Sequence, residues 1–261
     1  MLLVEKDSLN SADLEILFQD NDLIAIDKPA GLLVHRSRID ISAREFAVQK
    51  LRDQIGRPVF LVHRLDRPTS GVLLFAFSSE IAKRLCEQFS ERSVTKEYEA
   101  IVRGHAPESG CWDEPLVEKP DRMTDGSATP NKDAQPAVTK FQTLAHWTIP
   151  FSTKTVSATG KYNHSRYSHV RIQPLTGRRH QIRRHFNHMS HPIVGDTSHG
   201  DRRHNRLVRE VAGVSRMLLV ARSLSIVHPE TGKQLTFRAS LGAEFQKLIE
   251  FLNLQAVEAN F

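Results

Sequence analysis

The sequence predicts an α+β fold. Short apolar runs of strand length, each ended by turn residues, dominate the chain, and hairpin-like turns connect them. Helical patterns are few and scattered among the strands, which is the arrangement of an α+β rather than an α/β protein. No internal repeat and no linker divides the 261 residues. We therefore expect a polar tail over 1–13 and a single domain over 14–261.

In chain order, Leu14 to Phe18 and Leu23 to Asp27 read as strands around a Gln19 to Asp22 turn. Lys28-Pro29-Ala30-Gly31 breaks the pattern. Ser42 followed by Glu45 forms a capping box and predicts a helix from Ala43 to about Ile55, with Ala47, Leu51 and Ile55 inward and Gly56 and Pro58 as the stop. The apolar runs Val59 to Val62 and Val72 to Phe77 read as strands buried on both faces. Ser79 can cap a helix whose stripe of Ile81, Ala82, Leu85, Cys86 and Phe89 is core. Thr95 to Val102 alternates, with Lys96, Tyr98, Ala100 and Val102 on one face.

Residues 119–136 and 152–168 lack periodicity and read as long loops. His169 to Gln173 is a predicted strand, followed by a helix from near Arg178 that buries Ile182, Phe186 and Met189. Met217 to Ala221, Leu224 to Val227 and Gln234 to Arg238 read as short strands, and Ala243 to Leu252 as a final helix facing inward with Phe245, Leu248, Ile249 and Leu252.

Thirty-six Lys and Arg against 30 Asp and Glu leave a net charge of +6, an excess that favours polyanionic partners without naming one. The two cysteines, Cys86 and Cys111, cannot build a disulfide framework and have no metal-ligand spacing. With no leader pattern and no apolar run of about 18 residues, the expectation is a soluble cytoplasmic protein with no membrane association.

The charge is concentrated. From Arg178 to Arg206 there are seven arginines and six histidines against two acids, Asp196 and Asp201. Arginine suits bidentate phosphate contact and stacking on bases, and a helix beginning at Thr176 to Arg178 would add oriented amides for an anion. His180, His185, His188 and His191 invite a metal reading, but their spacing matches no zinc pattern and neither cysteine is near.

The other singular stretch is His63-Arg64-Leu65-Asp66-Arg67-Pro68-Thr69-Ser70-Gly71, set between two apolar runs. Its local chemistry is also that of an ordinary turn. The whole string, however, resembles the HRLDxxTSG signature of the pseudouridine synthases of the ribosomal large-subunit type. DNDLIAIDKPAGLLVH, Lys96-Glu97-Tyr98 and TGRRHQIRRHFNHMSHPIVGD resemble three further segments of the same family, in the family's order. One departure is Val220-Ala221, where relatives usually carry His-Ala.

That resemblance implies a mixed, mainly antiparallel sheet, bifurcated into two halves with a cleft across it, and a catalytic domain without the small N-terminal S4-type module of many relatives. It implies Asp66 as the catalytic aspartate, Arg183 as its arginine partner and Tyr98 as the residue stacking on the target base. Arg64 is placed to enter the stack that a flipped uridine vacates. His63 in the same motif and Arg178, His180 and Gln181 in the last one are the remaining expected RNA contacts. Isomerising uridine exchanges no electrons or phosphate, so no cofactor and no metal are expected. Asp66 can add to the sugar or take its 2′ proton, and the sequence does not choose between them.

The single-domain length and the endings of the motifs are closest to members acting on uridine 65 in the acceptor stem of tRNA. Ribosomal RNA is the rival substrate, and no obligatory protein partner is implied. A non-catalytic RNA-binding module would explain the basic segment but not an aspartate among apolar strands, and a histidine-based metal nuclease is the third reading.

Overall fold

The computed structural model describes residues 13–35, 45–117, 133–153 and 163–256. Its elements follow as β1 (Glu15–Gln19), β2 (Leu23–Lys28), α1 (Ala47–Ile55), β3 (Phe60–Leu61), β4 (Ser70–Ala76), α2 (Ser79–Ser90), β5 (Thr95–Arg103), β6 (Ser109–Asp113), β7 (Val138–Ile149) and β8 (Ser165–Pro174), then α3 (Gln181–His188), α4 (Arg202–Ala212), β9 (Leu219–Val227), β10 (Gln234–Arg238) and α5 (Ala243–Gln255). The sheet runs β1-β2-β4-β9-β5-β8-β7-β6, and all of its pairs are antiparallel except β4 with β9.

That exception shapes the molecule. A strand has two hydrogen-bonding edges. One edge of β4 is filled by β2, and the other meets β9 only at Ser70 opposite Val220 and Gly71 opposite Ala221. Beyond this junction β4 pairs with β3 at Leu61 and Phe60, while β9 pairs with β10 from Ser223 onward. The two strands therefore diverge like the arms of a fork, and the sheet is the expected mainly antiparallel, divided one. The fold is α+β.

Both halves are covered on both faces, which explains runs as uniformly apolar as β4. Leu23, Ala25, Val72 and Leu74 pack on Ile81, Ala82 and Leu85 of α2, whereas the alternate residues Ile24, Ile26, Leu73 and Phe75 pack with Ala47 and Leu51 of α1. In the other half Ile101 and Val220 join Val208 of α4 and Phe245 and Leu248 of α5. Their neighbours Ala100, Val102 and Leu219 face Ile182 and Phe186 of α3.

Several boundaries differ from expectation. Helix α2 is capped by Ser78, whose hydroxyl accepts the Ile81 N–H, one residue before the predicted cap. Helix α1 begins at Ala47 after Phe46, with no side-chain cap. Ser42, the expected helix start at Ala43, residues 1–12 of the tail, and 119–132 and 154–162 of the two expected loops lie outside the described residues. Strand β8 starts at Ser165 rather than His169, because its first buried positions include Ser165 and Ser168, which give no apolar signal. Strand β9 is continuous where two strands were expected: Arg222, in its middle, is held by Glu99 of β5. Strands β6 and β7 and helix α4 were not foreseen.

Gly71 has φ +112°, and a Cβ there would lie 2.3 Å from the Ala221 carbonyl oxygen. Gly71→Ala should thus wedge the junction between the halves and destabilise the protein by at least about 2 kcal/mol in chemical denaturation.

Candidate active site

Asp66 lies in the loop between β3 and β4, and that loop is tied down on both sides of it. Leu65 is buried in the α1-side core. The Thr69 N–H donates to the Asp66 carbonyl, closing a turn. The next carbonyl, of Arg67, accepts from the Gly31 N–H at 2.8 Å and from Lys28 Nζ at 3.3 Å. Lys28 is fully buried at the end of β2 and also donates to the Pro29 and Leu32 carbonyls. Burial pulls its ammonium down to about 7, against the favourable charge of Asp66. The Asp-Lys-Pro-Ala-Gly break of the sequence is thus a cradle for the Asp66 loop.

Arg183 reaches Asp66 from α3 in the other half. Its Nη1 donates to Asp66 Oδ2 at 3.0 Å, and its Nε and Nη2 form a two-pronged pair with Asp196 at 2.7 and 2.9 Å. The Arg183 side chain is 4 % exposed and that of Asp196 1 %, while Asp66 is 22 % exposed and opens to the cleft. Burial disfavours the Asp196 anion, but the Arg183 hydrogen bonds and charge outweigh it and hold the carboxyl below its usual range. Asp196 Oδ1 also accepts the Ser198 and His199 N–H groups, and Asn205 of α4 fixes the loop by bonding Gly195 N–H and Asp196 C=O.

Tyr98 lies on β5 at the point where its register with β9 shifts, between Glu97 and Tyr98. Such irregularities re-aim a side chain. Its ring packs against the cores of both halves, so it sits where the two meet. Burial raises its phenol well above the usual range, and the Asp66 charge adds to the effect. A cavity of about 740 Å³ opens here, lined by Asp66, Tyr98, Arg183, Arg64, Lys96 and Arg178 among others. Arg64 is exposed at this cavity.

The remaining expected contacts are also at the cavity wall, and all four are engaged within the protein: Arg178 Nε donates to the Pro136 carbonyl and His180 Nδ1 pairs with His199 Nε2. His63 Nε2 accepts the Leu74 N–H at 3.1 Å and its ring stacks on Phe89 at 4.8 Å. Gln181 donates to Val138 C=O and Thr139 Oγ1 and accepts from Thr176 Oγ1 and the Arg178 N–H. The helix begins at Gln181, not Arg178, so the expected anion-binding amides at 176–178 do not form; the Arg178 N–H is already taken. Met189 is only half-buried, at the cap.

The histidines do not converge. His185 bonds Thr139 Oγ1 and Glu114 C=O, His188 pairs with Glu114, His191 bonds Arg103 C=O, and His180 points to His199. The compact histidine and carboxylate group among the described residues is elsewhere, Asp20, Asp22 and His228. There His228 Nδ1 accepts the Glu230 and Thr231 N–H groups, so Nε2 carries the hydrogen and donates to Asp20 at 3.0 Å, an arrangement that clasps two turns.

Residues that the sequence did not single out are Lys28, Asp196 and His199. Asp196 had a signal, as one of two acids in a basic stretch. The other, Asp201, caps α4 and pairs with Arg103.

A model of one family, described as RNA pseudouridylate synthase, matches residues 22–188. The chain belongs to that family. This synthase is 50 % identical over 236 residues to a protein of Haemophilus ducreyi named tRNA pseudouridine synthase C, covering 90 % of this chain and 94 % of the relative. It is 49 % identical, with the same coverage, to one of that name from Vibrio cholerae. Among solved structures it resembles human RNA pseudouridylate synthase domain containing 4, with a TM-score of 0.68, 28 % identity, and 92 % and 93 % of the two chains covered. The synthase is an isomerase that converts uridine in RNA to pseudouridine. No helix among its described residues is long and apolar enough to cross a membrane.

Two outcomes test the geometry of the site. Burial lowers the His63 imidazole from 6.5 to about 3. The unfolded chain then takes up this proton below about pH 6.5 and the folded one only near pH 3. Its stabilising contribution is whole above 6.5 and is lost as pH falls, with a slope of up to about 1.4 kcal/mol per pH unit. Urea titrations between pH 7 and 3.5 should show a shallower acid slope in His63→Asn than in wild type. Asp196→Ala leaves Arg183 buried with one partner and should cost about 3–5 kcal/mol in the same assay, well beyond a surface ion pair.

Proposed function

We propose that this synthase acts on tRNA, isomerising uridine 65 in the acceptor stem, with Asp66 as the catalytic carboxylate. The observation that supports it most is the placement of one carboxylate at a junction of two half-sheets. It is held there by an arginine from one half and a clamped loop from the other, beside a tyrosine ring. The names of the Haemophilus and Vibrio relatives favour tRNA over ribosomal RNA.

In this reading Asp66 meets the sugar of the target nucleotide, either at C1′ or at the 2′ hydrogen, while the N1 to C1′ bond breaks and C5 joins C1′. Arg183 balances the carboxylate charge in a half-buried setting. A stem uridine must first be flipped, at a cost of a few kcal/mol. Arg64, exposed at the cavity, fills the vacated stack with its planar guanidinium, and Tyr98 stacks on the flipped base. Arg178 and Lys96 supply cations for the backbone at the same wall. Residues 14–261 form a single catalytic domain, and the enzyme works in the cytoplasm.

Asp66→Asn should bind tRNA within about threefold of wild type, since the backbone contacts that dominate affinity remain, and make no pseudouridine. Tyr98→Phe should stay active and Tyr98→Ala lose about 10- to 100-fold in turnover, the worth of one stacked base. Pseudouridine mapping of total RNA from cells with and without the gene should show one missing site, at tRNA position 65. A missing ribosomal site with tRNA intact would overturn the substrate assignment.

A further inference from the structure

His180 and His199 form a pair that the reading above leaves unused. His180 Nδ1 lies 3.0 Å from His199 Nε2, with the rings at 76°, and His180 Nε2 faces Asp66 Oδ1 at 3.8 Å. The backbone is bent to allow it: His180 has φ 52°, in the left-handed region, and although it precedes α3 its side chain does not cap the helix. A non-glycine residue held there is a strained position that calls for a function. His199 is half-buried and is absent from the cavity wall. Asp66 and His180 thus both line the cavity, and His199, bonded to the far ring nitrogen of His180, is the next group beyond the wall.

The reaction needs a route for protons. Forming pseudouridine breaks N1–C1′ and C5–H and makes C5–C1′ and N1–H, so one proton must leave C5 and one must reach N1. With an RNA stem laid over the cleft, the direct way to water is covered.

We propose that His180 and His199 are a two-imidazole proton wire between Asp66 and solvent, serving the exchange of the C5 proton for the N1 proton. The proposal rests on Asp66 being the catalytic carboxylate. With His180 Nδ1–H donating to His199 Nε2, the lone pair on His180 Nε2 faces Asp66. The C5–H bond breaks, its electron pair stays in the ring, and the proton goes to Asp66. Asp66 O–H passes it to His180 Nε2, the Nδ1 hydrogen moves to His199 Nε2, and the His199 Nδ1 hydrogen goes to water. The wire is then turned over. It runs back, His199 Nδ1 taking a proton from water and His180 Nε2 returning one through Asp66 to N1, which restores the starting state.

The charges around the pair suit a neutral carrier. Asp66, Arg183, His199 and Arg179 face His180, and Arg183, Asp196, Arg184 and Asp66 face His199. Burial pushes His180 down to about 4 and lowers His199 as well, so neither ring traps the proton it carries.

The test uses the full-length enzyme on tRNA whose uridines carry hydrogen or deuterium at C5. Pseudouridine formation by wild type on this tRNA checks the substrate reading separately, before any variant is compared. His199→Asn keeps a hydrogen-bonding partner for His180 Nδ1 but cannot relay. It should bind tRNA as wild type does, turn over about 100-fold more slowly, and show a C5-deuterium isotope effect that wild type lacks. His199→Ala should be partly restored by imidazole in the buffer. If His199→Asn does not fold, His180→Asn, whose side chain tolerates the left-handed backbone, should show the same isotope effect. A wild-type rate in His199→Asn, or a slow rate with neither isotope effect nor imidazole response, would reduce the pair to a brace and sink the wire.

Discussion

The guanidinium of Arg183 is the contact on which the site depends. Three of its bonds run to two carboxylates, Asp196 on its own half-sheet and Asp66 across the cleft. A buried arginine is unfavourable unless its charge and hydrogens are matched. Asp196 supplies the fixed match and leaves one nitrogen, Nη1, aimed at Asp66. The second contact is therefore set by the first. The position of the Asp66 carboxylate is decided jointly by α3, by the loop after it, and by the Lys28 clamp on the other side.

Much of this was legible in the sequence because motif strings survive as strings. Asp66, Arg183 and Tyr98 lie together at one cavity although they are far apart in the chain. The runs that became β2, β4, β5 and α5 were read from apolar periodicity that burial on one or both faces imposes. Strand β7 escaped because its inward positions include Thr139 beside Phe141, and α4 because its apolar stripe is short amid arginines. Lys28 and Asp196 escaped for a different reason. A buried charge is identified by its partners, and partners distant in sequence leave no local trace. The expected anion-binding helix start failed on the same ground, since Gln181 occupies the amide that an anion would need.

The segment rich in arginine and histidine is one block of charge in the sequence, whereas in the fold its members are divided. Arg183 and His185 are interior, Arg184 and His188 reach Val117 and Glu114 in the segment after β6, and Arg202 and Arg203 are exposed. Net charge describes what the surface attracts, but it is silent about the few charges taken out of water.

The two-residue contact between β4 and β9 has a mechanical meaning. Most neighbouring strands share ladders of four or more pairs, so shear or splay between them would break many bonds at once. At the fork the backbone ladder is reduced to Ser70 with Val220 and Gly71 with Ala221, and side chains join the arms instead, with Leu224, Ile226 and Phe237 sharing one core with Leu23, Val72 and Leu74. The junction beside Asp66 is thus fixed by side chains more than by its ladder: Arg216 Nη1 donates to Ser70 Oγ there, and Tyr98 packs on the cores of both halves. Arg183 and Asp66 add an ionic tie across the same opening, so the place where the ladder is thinnest is the place where side chains carry the join.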